Sequence, residues 1–148
     1  MYRVPVIGGT PRKLAAGGSD ADWSPDARAV AFVRNGGSPA TGALFVVPAE
    51  GGEPKRIGRW PSRVAGPPRF SPDGRTIAVP SLPANAGGGA KIELVAADGS
   101  ADRTLPVPAS LGALSNVVWD TPGKSLLFAQ GMNVVYGASR LLHEDLRS

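Results

Sequence analysis

The sequence predicts an all-β chain of repeated four-stranded antiparallel sheets. Three observations predict it. Glycine and proline supply 20 and 15 of the 148 residues, about twice ordinary usage and without a period of three. An aromatic residue, a tight polar turn and an apolar run recur as "WSPDARAVAFV" (23–33), "FSPDGRTIAV" (70–79) and "WDTPGKSLLFA" (119–129). Between these, a strand followed by Gly-Gly-x-Pro-basic-basic-apolar recurs. "YRVPVIGGTPRKL" (2–14) aligns without a gap with "FVVPAEGGEPKRI" (45–57), and "ELVAADGSADRTL" (93–105) is a weaker copy.

Each element has a local cause. In the polar turn, Pro25 and Pro72 preset φ for the second turn position, and Asp26 and Asp73 accept local backbone hydrogen bonds. Gly74 tolerates positive φ, and Ala27 takes its place in the first copy at a small cost in strain. In the third copy the proline moves one place, to Thr121-Pro122-Gly123-Lys124, which predicts a different turn type. The runs that follow, "AVAFV" (29–33), "TIAV" (76–79) and "SLLFA" (125–129), are continuously apolar. Strict alternation would leave one face wet, whereas short unbroken runs predict strands buried on both faces. The next strands, "ALFVV" (43–47) and "KIELV" (91–95), lead into hairpin signals at Gly51-Gly52 and Asp98-Gly99. The aromatics Trp23, Phe70 and Trp119 recur at one repeat position, which predicts packing between neighbouring sheets.

The unit is therefore strand a, turn, strand b, loop, strand c, turn, strand d, repeating every 43 to 49 residues. A sheet buried on both faces needs neighbours on both sides, and radial stacking supplies them, as in a β-propeller blade. The Ser-Pro-Asp-Gly-Arg turn with its preceding aromatic resembles the WD-like propeller repeat of the TolB family. The same repeat occurs in propellers of prolyl-oligopeptidase-like peptidases. The resemblance covers about residues 2–136 and speaks to fold more than to function. It implies strands c and d of a first blade over 1–14 and blades over 20–57 and 66–105. A partial blade over 115–138 and an irregular or helical tail over 139–148 complete the expectation. Three to three and a half blades do not close a ring, so a longer chain or a second copy would complete it.

The remaining composition narrows function. The chain has no cysteine, so thiolate chemistry and disulfides are excluded. Its net charge of +4 is scattered, and no nucleic-acid reading motif accompanies it. No segment approaches the length of a membrane span. Gly123-Lys124-Ser125 matches only the end of a phosphate-binding loop, since Val118 stands where the first glycine belongs. "NAGGGAK" (85–91) leads into a strand rather than a helix. His143, the single histidine, lies in the tail, and no nucleophile elbow occurs. Asp20, Asp22 and Asp26 lack the spacing of a calcium loop and read as turn caps. No catalytic, cofactor or metal residues are expected.

In this strand order the d–a and b–c loops share one face. It carries the long, unlike segments 15–21, 34–42, 58–66, 80–90 and 106–115. Variable loops on a rigid scaffold are the usual place for binding, which selects Arg34, Asn35, Arg59, Trp60, Arg63 and Asn85. Their positive charge favours an acidic protein or peptide. By resemblance the chain is a non-enzymatic bacterial interaction scaffold in a periplasmic or cell-envelope setting. The alternative is the substrate-gating propeller of a peptidase without its catalytic domain. "MYRVPVIGGTPRKL" lacks the apolar stretch of a secretory signal, so a genuine N-terminus there would mean the cytoplasm.

Overall fold

The structure, a computed structural model, describes residues 1–36, 41–83, 89–130 and 141–145. Four antiparallel sheets follow one another along the chain. The first pairs β1 (Tyr2–Arg3) with β2 (Arg12–Lys13). The second contains β3 (Ser19–Trp23), β4 (Ala29–Asn35), β5 (Gly42–Pro48) and β6 (Lys55–Trp60), in that spatial order. In the third, β7 (Ser62–Val64) and β8 (Arg69–Phe70) both pair with β9 (Thr76–Pro83), followed by β10 (Lys91–Ala96) and β11 (Asp102–Pro106). A short 3-10 turn, Ala109–Leu111, leads to the fourth: β12 (Leu114–Trp119), β13 (Ser125–Gln130) and β14 (Leu141–Asp145).

The continuous apolar runs are explained by which core each residue enters. Alternate residues of a strand point to opposite faces. On β4, Val30 and Phe32 join Leu14, Ala15 and Val47 in one cluster. Ala31 and Val33 join Ile77, Val79 and Val95 of the third sheet in the next. On the third sheet, Ala78, Ile92 and Leu94 meet Val117, Leu126 and Phe128 of the fourth. Each middle sheet is thus a layer between two cores. The first strands also touch: the Phe70 N–H donates to Asp22 Oδ2 at 2.9 Å, and Trp119 Nε1 donates to the Arg69 carbonyl at 2.9 Å. Sheets stacked face to face and joined along their first strands form an incomplete β-propeller.

The turns between strands a and b share one scaffold. Ala27, Gly74 and Gly123 each donate their N–H to the carbonyl three residues back, at 2.8, 2.8 and 3.0 Å. Their φ values are +58°, +71° and +69°. The third turn therefore has the geometry of the other two, contrary to the sequence expectation. The substitution is one of roles: Asp120 stands where Ser24 and Ser71 stand, and Ser125 supplies the hydroxyl from the far side, 2.8 Å from Asp120 Oδ2. Ala27 bears the strain read from the sequence. Ala27→Gly should raise stability by about 0.5–1 kcal/mol and Gly74→Ala should lower it by about 1 kcal/mol, since only glycine adopts this φ freely. Urea midpoints of the two variants check this; equal midpoints would show that the turn relaxes without cost.

Three further expectations need correction. The tail is not irregular or helical where it is described: 141–145 is a strand, pairing with β13 from Ala129↔Leu141 to Ser125↔Asp145. The open edge of β13 offers a backbone ladder that accepts a strand whatever its side-chain pattern. The segment 58–66 is not a loop either, because only Pro61 separates β6 from β7. Finally, Trp23 is not a core residue. It is 44% exposed, because the sheet before it has two strands and meets its ring with the Arg3 guanidinium, 5.7 Å away. Phe70 is buried at the same repeat position and Trp119 half-buried.

Candidate functional site

Of the six residues selected on the loop face, three are committed to holding sheets together. Arg34 ends the apolar run of β4. Its guanidinium lies 4.3 Å from the Phe45 ring centroid and 5.2 Å from that of Phe32, and Nη2 donates to the Ala16 carbonyl at 2.6 Å. Asn35 clamps the second sheet to the third. Its Nδ2 donates to the Val64 carbonyl at 3.3 Å, and its Oδ1 accepts the Val64 N–H at 2.8 Å. Trp60 is 7% exposed and packs with Val64, Val79 and Val95. Its ring takes the space a side chain at position 58 would fill, since a Cβ on Gly58 would stand 2.8 Å from Trp60 Cζ2. Asn85 lies outside the described residues.

Arg59 on β6 and Arg63 on β7 are exposed, one on each side of the single-residue connection. Arg56 is exposed on the same strand. Among the described residues, none of these three has an ion-pair partner; the ion pairs there are made by Arg3, Arg12, Arg28 and Arg69. β6 is the last strand of its sheet. Cations along an outer strand also discourage edge-to-edge aggregation, which is a role any soluble sheet needs. Beside them, Gly17, Gly18, Ser19, Arg34 and Asn35 line an open groove of about 440 Å³.

The opposite face carries grooves that the loop argument missed. Neighbouring a–b turns leave a groove of about 540 Å³ between the second and third sheets, with Val46 and Phe70 in its lining and Asp26 and Asp73 beside it. A counterpart of about 370 Å³ between the third and fourth sheets includes Asp73, Arg103, Trp119 and Lys124. The signal was present in the sequence as the recurrence of the a–b turns after Trp23, Phe70 and Trp119. These carboxylates are spent locally. Ser24 and Ser71 hydroxyls donate to Asp26 and Asp73 at 2.6 Å, and the Arg28 and Arg75 N–H groups add bonds of 3.1 and 3.0 Å. These bonds hold both carboxyls below the ordinary carboxylate range. The Ser71 hydroxyl also accepts the Thr76 N–H, at 3.0 Å. The Ser71–Asp73 pair is therefore a turn cap. Among the described residues no group of three or more His, Asp or Glu side chains is placed to hold a metal.

The stacked antiparallel sheets place the chain in the β-propeller class of folds, and comparison with solved structures supports the same class. It is similar to TolB from Acinetobacter baumannii, with a TM-score of 0.71 at 17% identity over 97% of this chain and 34% of that one. It is also similar to an oligogalacturonate lyase from Vibrio parahaemolyticus, with a TM-score of 0.71 at 14% identity over 99% of this chain and 42% of the other. The propeller domain of the Trilobed protease from Pyrococcus furiosus aligns at 0.57 and 15% identity, over 86% of this chain and 38% of that one. The fold is TolB-like, and the chain spans between a third and a half of the length of these proteins. No family description and no curated protein sequence matches it.

Proposed function

We propose that the chain is a non-enzymatic propeller module that binds an acidic protein segment along the β6–β7 edge. The observation that carries this reading is the exposed strip of Arg56, Arg59 and Arg63, which lacks acidic partners among the described residues while Arg34, Asn35 and Trp60 are held in the structure. Cations displayed without counter-charges attract anionic partners at long range and lose that attraction in salt. The similarity to TolB supports a role in protein interaction, and the resemblance of the repeat supports a bacterial envelope setting. No helix among the described residues is long and apolar enough to cross a membrane.

A fluorescently labelled oligoglutamate peptide serves as the probe. The Arg59→Ala/Arg63→Ala double variant should bind it about tenfold more weakly at low salt and show a shallower salt dependence. Unchanged binding and salt slope would remove the edge from consideration. A second reading, the gating propeller of a peptidase, rests on the similarity to the Pyrococcus propeller domain. A hydrolase domain encoded next to this segment would favour it.

A further inference from the structure

The two grooves between neighbouring a–b turns are built from equivalent positions of the repeat. Ser24, Asp26, Ala29, Val46, Phe70 and Gly74 line the first, between the second and third sheets. Ser71, Asp73, Thr76, Leu94, Trp119 and Gly123 stand at the same positions in the other, between the third and fourth. A cleft at such a place follows from stacking twisted sheets and needs no ligand to explain it. What distinguishes one groove from the other is its side chains.

Three differences point the same way. Thr76 brings a hydroxyl where Ala29 has only a methyl group. Trp119 stands in place of Phe70, and it is half-buried where Phe70 is buried, so part of its indole stays open to the groove. Finally, Arg103 and Lys124 line the second groove, whereas their repeat equivalents, Lys55 and Arg75, do not line the first. Lys55 Nζ instead donates to the Asp98 carbonyl, at 3.0 Å. Among the described residues neither Arg103 nor Lys124 has an ion-pair partner. Asp73 lines the same groove, and both of its local bonds, from the Ser71 hydroxyl and the Arg75 N–H, end on Oδ1. Those bonds keep the carboxyl ionised, and an ionised carboxylate only accepts, so Oδ2 selects a hydroxyl or an N–H.

We propose that the groove between the third and fourth sheets binds a phosphorylated sugar, with the sugar ring on the Trp119 indole, the phosphate on Arg103 and Lys124, and a ring hydroxyl on Asp73 Oδ2. A phosphomonoester carries close to two negative charges at neutral pH, and two cations match it. Arginine offers phosphate oxygens a planar fork of donors, and lysine adds a point charge. The C–H face of a sugar ring is apolar while its hydroxyls point outward, so it covers the flat indole and still reaches polar groups at the rim. The volume of about 370 Å³ lies within the range of small-ligand sites. The first groove is larger, about 540 Å³, but its arginine, Arg28, stands 4.0 Å from Asp26, and it has neither the indole nor the Thr76 hydroxyl. This site lies on the a–b turn face and does not depend on the β6–β7 edge.

Glucose 6-phosphate, glucose, inorganic phosphate and adenosine monophosphate are titrated into the full chain, followed by calorimetry and tryptophan fluorescence. Glucose 6-phosphate should bind at least about tenfold more tightly than glucose or inorganic phosphate, since each of those makes only part of the contacts. Adenosine monophosphate carries the same sugar-phosphate chemistry with a base that can stack. If it binds more tightly than glucose 6-phosphate, the ligand is a nucleotide; if less tightly, a free sugar phosphate. Arg103→Gln/Lys124→Gln alters only exposed side chains and should weaken binding at least about tenfold and flatten its salt dependence. Thr76→Ala/Trp119→Phe gives this groove the residues of the first. It should weaken binding about tenfold and abolish the fluorescence change, with the circular dichroism spectrum unchanged, because phenylalanine already serves at this repeat position in the third sheet. Arg59→Ala/Arg63→Ala should bind the sugar phosphate as the unmodified chain does, and a loss there would place the site elsewhere. The proposal is overturned if neither phosphorylated probe binds, if inorganic phosphate binds as tightly as both, or if either groove variant keeps full affinity.

Discussion

Phe32→Ala is expected to destabilise the chain by about 3–5 kcal/mol, the range for truncating a buried aromatic side chain. Phe32 is fully buried between the first two sheets. Its ring stacks on Phe45 with centroids 5.5 Å apart and an 18° interplanar angle. It also covers the backbone of Gly18, where an added Cβ would stand 2.5 Å from Phe32 Cδ2. Removing the ring leaves a void against the Gly18 backbone, and it takes away one of the two aromatic faces under Arg34. For a chain of this size the melting temperature should fall by roughly 10 °C or more. Urea unfolding of Phe32→Ala beside Phe32→Leu measures the effect. A loss below about 1 kcal/mol would mean that the first two sheets are not packed against each other through this ring.

Gly66→Ala should cost about 3 kcal/mol for a different reason. Gly66 sits in the break between β7 and β8, and its φ lies in the ordinary range. An added Cβ would overlap the Ser115 carbonyl oxygen and stand 3.1 Å from the Ser115 carbonyl carbon and 3.3 Å from Pro80 Cγ. Ser115 is the extra residue where the β12–β13 register shifts, so its carbonyl is turned toward the third sheet by a bulge. Both obstacles are backbone or ring atoms, so the third and fourth sheets must separate. The loss should therefore appear in the urea midpoint together with a shift in tryptophan fluorescence, because Trp119 bonds to Arg69 across the same junction. An unchanged midpoint would show that the junction has slack.

These two residues mark the boundary of what could be read from the chain. Phe32 lies in a run whose unbroken apolar character already required burial on both faces. Gly66 carries no local signal; its constraint comes from a carbonyl 49 residues away. The same division runs through the candidate site. Arg59 and Arg63 are exposed, but on strands rather than in the loop expected over 58–66. Asn35 is held by Val64, 29 residues on, and Trp60 turns inward onto the third sheet, and neither fact is encoded nearby.

By itself the sequence determined the repeat, the strands b and c, the hairpins that follow them and the shared turn, because each depends on residues within a few positions of one another. Proline and glycine set local dihedrals, serine and aspartate cap local N–H groups, and an apolar run demands two cores. Tertiary structure decided where the first strands break, which cations stay free and what the tail pairs with. Those outcomes depend on backbone groups brought together from neighbouring repeats, and a hydrogen bond or a steric overlap between such groups is set by how the sheets stack, not by adjacent residues.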